Sequence, residues 1–118
     1  MHNEIYWIFT VSVKPGQFDE FKQLVAQIVR ETKKEPDALA YEYSMSSDQT
    51  TVHVFERYRD SAAVVKHIEQ TFGPFAERFM SLVVAKGLVV YGTPNEEARK
   101  RLDGLGAACM TIFDGFSR

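Results

Sequence analysis

The chain has 118 residues, with 14 Lys and Arg against 16 Asp and Glu, a net charge of −2 and 45% hydrophobic residues. This length and composition predict one globular domain. Because the chain contains no Lys/Arg-rich block, we expect no nucleic-acid partner and no binding to an anionic membrane surface. No apolar run approaches the roughly 18 residues of a membrane span. The single cysteine, Cys109, excludes an intrachain disulfide, and with no signal-peptide pattern it favours a cytoplasmic location.

The first half of the chain predicts a strand, a helix and a hairpin. Apolar residues alternate over residues 4–13, which is typical of a strand with one dry face. They recur at three- and four-residue spacings over about residues 16–34, which predicts an amphipathic helix. Alternation returns over residues 38–46 and 51–59, and the turn residues 47–49 join these two strands into a hairpin.

The second half repeats the helix and strand and adds a tail. Residues 61–83 predict a helix interrupted by Gly73-Pro74, and Leu88–Tyr91 is a short apolar run of strand length. Asn95 is placed to cap a short helix, and Gly104 or Gly106 can end it. Beyond that helix, residues 109–113 have the pattern of one more strand.

The order β-α-β-β-α-β predicts an α+β, ferredoxin-like fold with an antiparallel sheet and helices on one face. The other face of the sheet then needs a cover, and a second copy of the same sheet supplies it, so we expect a homodimer. We expect residues 1–94 to form this domain. Residues 95–118 form an extension that packs on the same domain or on the dimer partner.

Short motifs in a fixed order carry a family resemblance. They are Lys14-Pro15-Gly16 with Phe18 and Phe21, Glu35-Pro36 with Leu39 and Tyr41, Phe55-Glu56-Arg57-Tyr58 with Asp60, and His67 with Phe72 and Phe75. Over about residues 4–92 the chain resembles the antibiotic biosynthesis monooxygenase (ABM) family. The resemblance implies a dimeric α+β barrel whose pocket, between sheet and helices, accepts aromatic or quinol-like molecules. Some members oxygenate them with dioxygen and no metal, flavin or haem, and other relatives isomerise small metabolites or have no established activity.

His67 is the first candidate catalytic residue, because an imidazole can remove a phenolic proton near neutral pH. The resulting anion is electron-rich enough to reduce dioxygen. The alternative is a structural histidine that hydrogen-bonds a carbonyl group. The position of His67 matches the pattern of the family that the chain resembles, so the catalytic and the structural interpretation have about equal weight.

Glu56 is the second candidate, because it shares a strand face with apolar neighbours and would need a partner if buried. It can orient His67 or bind a substrate hydroxyl. The structural alternative, which the residue type alone favours, is a hydrogen bond or an ion pair with Arg57 or Arg78.

Aromatic side chains are numerous enough to line a flat pocket, although most belong to the core. The expected substrate-binding residues are those in or beside the family motifs, Tyr41, Tyr58, Phe72 and Phe75. The three histidines have no tight ligand spacing, so we expect no metal site. The family resemblance implies that no other cofactor is needed.

These observations favour a cofactor-independent monooxygenase of a small quinol-like or polycyclic phenolic molecule, with His67 as the base. Two alternatives stay open. One is a dimeric module that binds a small aromatic metabolite without turnover. The other is a cofactor-free isomerase of a small oxygenated metabolite that uses the same His and Glu for proton transfer.

Overall fold

The structure is a computed structural model that describes residues 2–118. Its strands are β1 (Ile5–Val13), β2 (Ala38–Met45), β3 (Thr51–Tyr58), β4 (Val83–Tyr91) and β5 (Ala108–Met110). Its helices are α1 (Phe18–Thr32), α2 (Ser61–Lys66), α3 (Gly73–Leu82) and α4 (Glu96–Asp103), with a π-helical segment, His67–Phe72, between α2 and α3. The five strands form one sheet in the order β2-β3-β1-β4-β5. The fold is therefore the predicted ferredoxin-like α+β fold, with helices on one face of the sheet.

The core lies between that face of the sheet and the helices. On β1 every second residue is buried, from Ile5 to Val13, as the alternating sequence predicts. Helix α1 presents Phe21, Leu24 and Ile28 to the sheet, and each is at most 2% exposed. Burial of these apolar side chains of β1 and α1 determines which face of the sheet points toward the helices.

Residues 61–82 are helical throughout, but the helix is widened before Gly73-Pro74 rather than broken at it. A proline ring clashes with the carbonyl four residues earlier, here that of Gln70, in a regular α-helix. The π-helical segment before Pro74 relieves that clash, because i to i+5 bonding widens the turn. The interruption predicted at Gly73-Pro74 is therefore a change of helical pitch one turn earlier.

Strand β4 is longer than the predicted residues 88–91. Val83, Val84 and Ala85 pair with β1 as well, and the pairing register shifts between Thr10 and Val11. This irregularity lets the strand continue through Lys86-Gly87, which the sequence suggests as a break.

The C-terminal residues add a fifth strand. Asn95 caps α4 by accepting a hydrogen bond from the Ala98 amide at 2.9 Å. After α4, Gly106 has a φ of 79°, the left-handed conformation that favours glycine. The strand expected over residues 109–113 is Ala108–Met110, and it runs parallel to β4, so the sheet is mixed rather than wholly antiparallel.

The second face of the sheet carries no helix among residues 2–118. Ile8 pairs with Phe55 of β3 and with Val89 of β4, so three apolar side chains form one row across this outer face. Tyr6 and Tyr91 stack beside them with ring centroids 5.5 Å apart. We call this surface the outer face.

Candidate active site

Two rows of side chains on the helix-facing side of the sheet form the floor of a cavity. In each row, residues of neighbouring strands stand opposite one another. Pairing aligns Val90, Trp7, Glu56 and Tyr41 in one row, and Leu88, Phe9, Val54 and Tyr43 in the next. One carboxylate and two phenols are thereby built into an otherwise apolar floor.

The π-helical segment supplies the wall opposite Glu56. His67 and Phe72 are its first and last residues, and both line the cavity. In an α-helix, residues five apart point about 140° away from one another. The wider π-helical turn brings them toward one face, with their rings 6.4 Å apart and nearly parallel. Helix α3 adds Phe79 and Met80 to the wall.

The cavity is small. Its volume is about 30 Å³, enough for a water molecule and far below the 300–1,000 Å³ of typical ligand pockets. None of the described residues that line it is a lysine or an arginine. The interior therefore combines aromatic walls with acidic groups and a single imidazole.

His67 lies between two buried carboxylates. Its Nδ1 is 2.8 Å from Oε2 of Glu35, and its Nε2 is 3.4 Å from Oε1 of Glu56. The imidazole is 2% exposed, Glu35 7% and Glu56 6%. Glu35 lies between α1 and β2, just before Pro36, so three separate parts of the chain meet at this imidazole.

Burial raises the pKa of Glu56 above its ordinary value, because the low-dielectric interior disfavours the ionised carboxylate. His67, Tyr58 and Trp7 oppose this effect. The phenol of Tyr58 donates a hydrogen bond to Oε1 of Glu56 at 2.6 Å. Glu56 is thus a carboxyl group that gains and loses its proton at a higher pH than an exposed glutamate does.

The phenols around this cluster stay protonated. Burial, followed by the nearby Glu56 carboxylate, raises the pKa of Tyr41 and of Tyr58 well above the ordinary value. The same two causes raise the pKa of Tyr43, whose hydroxyl is 2.7 Å from that of Tyr41. None of these phenols therefore acts as a base near neutral pH, and Tyr41 or Tyr43, which line the cavity, can donate a hydrogen bond to an oxygen there.

The structure brings most of the predicted site residues together. His67, Glu56, Tyr41 and Phe72 all line the cavity. Tyr58 is fully buried behind Glu56, to which it donates, and touches His67 with a ring separation of 5.2 Å. Phe75 lies elsewhere, beside the exposed side chains of α1, because it is on the side of α3 that faces α1 rather than the sheet.

Neither arginine considered as a partner for Glu56 reaches it. Arg57 binds Glu4 at 2.6 Å, and Arg78 lies 3.5 Å from Glu20. Arg57 follows Glu56 directly in the strand and so points to the outer face. Glu56 is instead held by His67 and Tyr58.

Four further residues belong to the site but are not among the catalytic and substrate-binding residues expected from the sequence: Glu35, Trp7, Tyr43 and Leu105. Alternation with Tyr41 is a signal for Tyr43, since the two lie on one face of β2. Trp7 shares the buried face of β1. Glu35 is part of a family motif, but its contact with His67 has no signal in the sequence. The position of Leu105 has none either, because both depend on how distant segments pack.

The carboxylates do not converge on a common point, since they contact opposite nitrogens of the same ring. Accordingly, residues 2–118 contain no group of three His, Cys, Asp or Glu side chains arranged to hold a metal ion. Within the same residues, none of the helices has the length and apolar character needed to cross a bilayer.

Fold and site together define a small ferredoxin-like α+β domain with a buried acid–base cluster between sheet and helices. The family model for antibiotic biosynthesis monooxygenase matches residues 5–71. This match covers more than half of the chain, which therefore belongs to the antibiotic biosynthesis monooxygenase family. A search of curated proteins finds no match.

Solved structures share the fold at low sequence identity. MupZ from Pseudomonas fluorescens is 22% identical, with a TM-score of 0.85 over 99% of this chain and 96% of its own. Rv0793 from Mycobacterium tuberculosis is 19% identical, with a TM-score of 0.68 over 79% of this chain and 97% of its own. SnoaB from Streptomyces nogalater, described as a cofactor-independent oxygenase, is 16% identical, with a TM-score of 0.67 over 79% of this chain and 95% of its own.

Proposed function

We propose that this protein is a cofactor-independent monooxygenase that acts on a small, uncharged quinol-like or polycyclic phenolic molecule. The observation that supports this proposal most is the imidazole of His67, buried between Glu35 and Glu56 in the wall of an aromatic cavity. Membership of the family and the likeness to a cofactor-independent oxygenase agree with it.

The cluster is suited to removing a proton from a phenol. His67 can donate hydrogen bonds to both Glu35 and Glu56 only as an imidazolium. When His67 is neutral, Nδ1 donates to Glu35, and a protonated Glu56 donates to Nε2. The raised pKa of Glu56 favours this neutral pair. Glu56 passes its proton to Nε2 of His67 as it takes the proton of the substrate, so the pair gains one proton and becomes an imidazolium beside a neutral Glu56. The Glu35 carboxylate stabilises that imidazolium at Nδ1.

The oxygen chemistry then follows from the substrate anion. For an anthrone, the anion transfers an electron to dioxygen, and a carbon–oxygen bond forms at the ring CH2. The substrate loses two hydrogens and gains one oxygen atom, and the second oxygen atom leaves as water. This balance requires no external reductant, and the aromatic walls exclude water from the anion.

The walls also indicate the charge of the substrate. Glu56 and the phenols of Tyr41 and Tyr43 line the cavity, and none of its described lining residues is a lysine or arginine. A phosphorylated or carboxylated molecule would lose its hydration there without gaining a cationic partner. A neutral ring system with one hydroxyl or keto oxygen can instead accept hydrogen bonds from Tyr41 or Tyr43.

A second candidate is a cofactor-free isomerase, favoured by the raised pKa of Glu56 beside the cavity. Such a carboxyl group can return a proton to the substrate after His67 has removed one, without oxygen. Product formed from the substrate under strictly anaerobic conditions supports this candidate and contradicts the oxygenase.

We also propose that two copies of the chain associate through the outer face. The apolar row Ile8, Phe55 and Val89 is continuous across three strands and has no helix over it. A second sheet packed on this face would remove the row from water.

The function is tested by dissolved-oxygen consumption of the metal-stripped protein with hydroquinones and anthrones. We expect oxygen uptake that stops when substrate is exhausted, at one dioxygen per anthrone oxidised. If no member of the panel causes uptake above the rate without protein, the oxygenase proposal fails.

A further inference from the structure

One part of the cavity wall comes from the C-terminal extension. Leu105, in the connector Gly104–Ala107 between α4 and β5, lines the cavity together with His67 and Glu56. The same side chain is 39% exposed to solvent. Leu105 therefore stands between the acid–base cluster and bulk water.

The cavity is too small for an aromatic molecule. The volume is about 30 Å³, whereas a cavity that holds benzene measures about 150 Å³. Something in the wall has to move. Trp7, Phe79 and Leu88 are 3%, 1% and 4% exposed and belong to strands or a helix, so moving them would disrupt the core.

The connector is the part of the wall that can move at least cost. Its backbone amides bond back only to carbonyls of the last turn of α4, such as Leu105 to Leu102 at 3.0 Å. Gly106 is left-handed, and nothing lies within 4 Å of the position a Cβ would take there. Both ends are fixed, by the fully buried Leu102 and by the pairing of β5 with β4.

The family model ends at residue 71. The connector Gly104–Ala107 lies beyond that segment. The acid–base cluster lies wholly before residue 95, so the connector is an addition to that cluster.

We infer that Leu105 is a specificity-determining residue of this site, and that the Gly104–Ala107 connector is its movable wall. The volume of the side chain at position 105 sets the size of the uncharged ring system that reaches His67. The inference rests on the proposed function for where the ligand binds, and it is independent of the oxygen chemistry.

The first test measures access to the cavity without any ligand. Trp7 is the only tryptophan of the chain and lines the cavity, so quenching of its fluorescence by acrylamide reports entry of a small neutral molecule. We expect Leu105→Ala to raise the Stern–Volmer constant about threefold or more. Met110→Ala is the matched control, since it removes another exposed apolar side chain of the C-terminal segment that is not part of the cavity wall.

Equal quenching in wild type and Leu105→Ala, or an equal rise in Met110→Ala, would overturn the inference. A far-ultraviolet circular dichroism spectrum and a urea unfolding curve for each variant verify that access, rather than loss of folding, changes the signal.

The second test measures size selectivity. Anaerobic calorimetry compares hydroquinone, with one ring, and 1,4-dihydroxynaphthalene, with two. We expect Leu105→Ala to shift the ratio of the two dissociation constants at least fivefold toward the larger probe, and Leu105→Phe to shift it at least fivefold the other way. A ratio unchanged in both variants, or no binding of either probe to any of the three proteins, contradicts the inference. If the shifts occur without oxygen uptake, the inference stands and the oxygenase proposal alone fails.

Discussion

At the scale of single residues, the protein concentrates its buried ionisable groups around one imidazole. Glu35 and Glu56 hold opposite nitrogens of His67, and no buried polar side-chain atom among the described residues lacks a hydrogen-bond partner. Such complete pairing is what makes a charged cluster tolerable in an interior. The pairing also fixes the orientation of the His67 ring, so that substitution of Glu35 and substitution of Glu56 are expected to have different, measurable effects.

Glu35→Gln tests whether Glu35 acts through His67. The change keeps the shape but removes the negative charge that stabilises the imidazolium, an interaction of about 1.5–3 kcal/mol. We therefore expect kcat to fall about 10- to 100-fold with KM little changed, because Glu35 does not line the cavity. Steady-state oxygen uptake measures both constants, and a rise in KM at constant kcat would contradict this role.

Glu56→Gln tests the raised pKa of Glu56. The pKa of Glu56 is higher in the folded protein than the 4.5 of the unfolded chain. Such a carboxyl group stabilises the fold fully at a pH below 4.5, and this stabilisation is lost as the pH rises through the pKa of the folded protein. Glutamine does not titrate, so the variant does not lose stability in this way. We expect its free energy of unfolding to increase relative to wild type as the pH rises above 4.5, by at most about 1.4 kcal/mol per pH unit. Urea unfolding at pH 4 to 8 measures the difference, and a constant difference would show that the pKa is not raised.

The sequence supports only part of this site. His67 and Glu56 are recognisable because a titratable residue on an apolar face is unusual, and the family resemblance adds weight to both. Glu35 belongs to the Glu35-Pro36 family motif, but it is 32 residues from His67 in the chain, and nothing in the sequence indicates that the two side chains meet. Phe75 fails for a related reason: its place in a family motif does not determine which side of α3 it occupies.

At the scale of secondary-structure elements, backbone geometry decides what reaches the cavity. The π-helical segment brings His67 and Phe72 to one face, and the register between β1 and β3 places Trp7 opposite Glu56. Hydrophobic periodicity predicts where these elements lie, and the element order confirmed here follows from it. Periodicity does not reveal a change of helical pitch or a register shift, since both depend on packing between elements.

Gly92 directly follows β4, and we expect any other residue there to destabilise the fold because of the local backbone conformation. Its φ is 116°, and a Cβ there would lie 2.8 Å from the carbonyl oxygen of Glu4. We expect Gly92→Ala to lower the free energy of unfolding by about 2–4 kcal/mol. Gly87→Ala is the matched control within the same strand, because a Cβ there meets nothing within 4 Å. Urea unfolding compares the two, and equal losses would contradict the account.

At the scale of the whole molecule, the two faces of the sheet differ in what covers them. One carries the core and the cavity, and the other presents an apolar row without a helix over it. The proposed association of two copies leaves the cavity on the helix side of each. It would also restrict each sheet from flexing beneath the cluster around His67.

Ile8→Glu tests the proposed association, because it introduces a charge at the centre of the apolar row. We expect wild type to elute with the mass of two chains and the variant with the mass of one, by size-exclusion chromatography with light scattering. Met45→Glu is the control, since Met45 is exposed but lies on the other side of the sheet, beside α1. A monomeric wild type at micromolar concentration would contradict the proposal.

The central claim is that the buried imidazole drives oxygen chemistry without a cofactor. The most direct measurement is dissolved-oxygen uptake by the metal-stripped protein with an anthrone, compared with His67→Ala and with His2→Ala, which removes an exposed histidine. We expect uptake by wild type and His2→Ala, and a rate about 10²- to 10⁴-fold lower for His67→Ala. Uptake that survives loss of His67, or that requires an added metal or flavin, would contradict the claim.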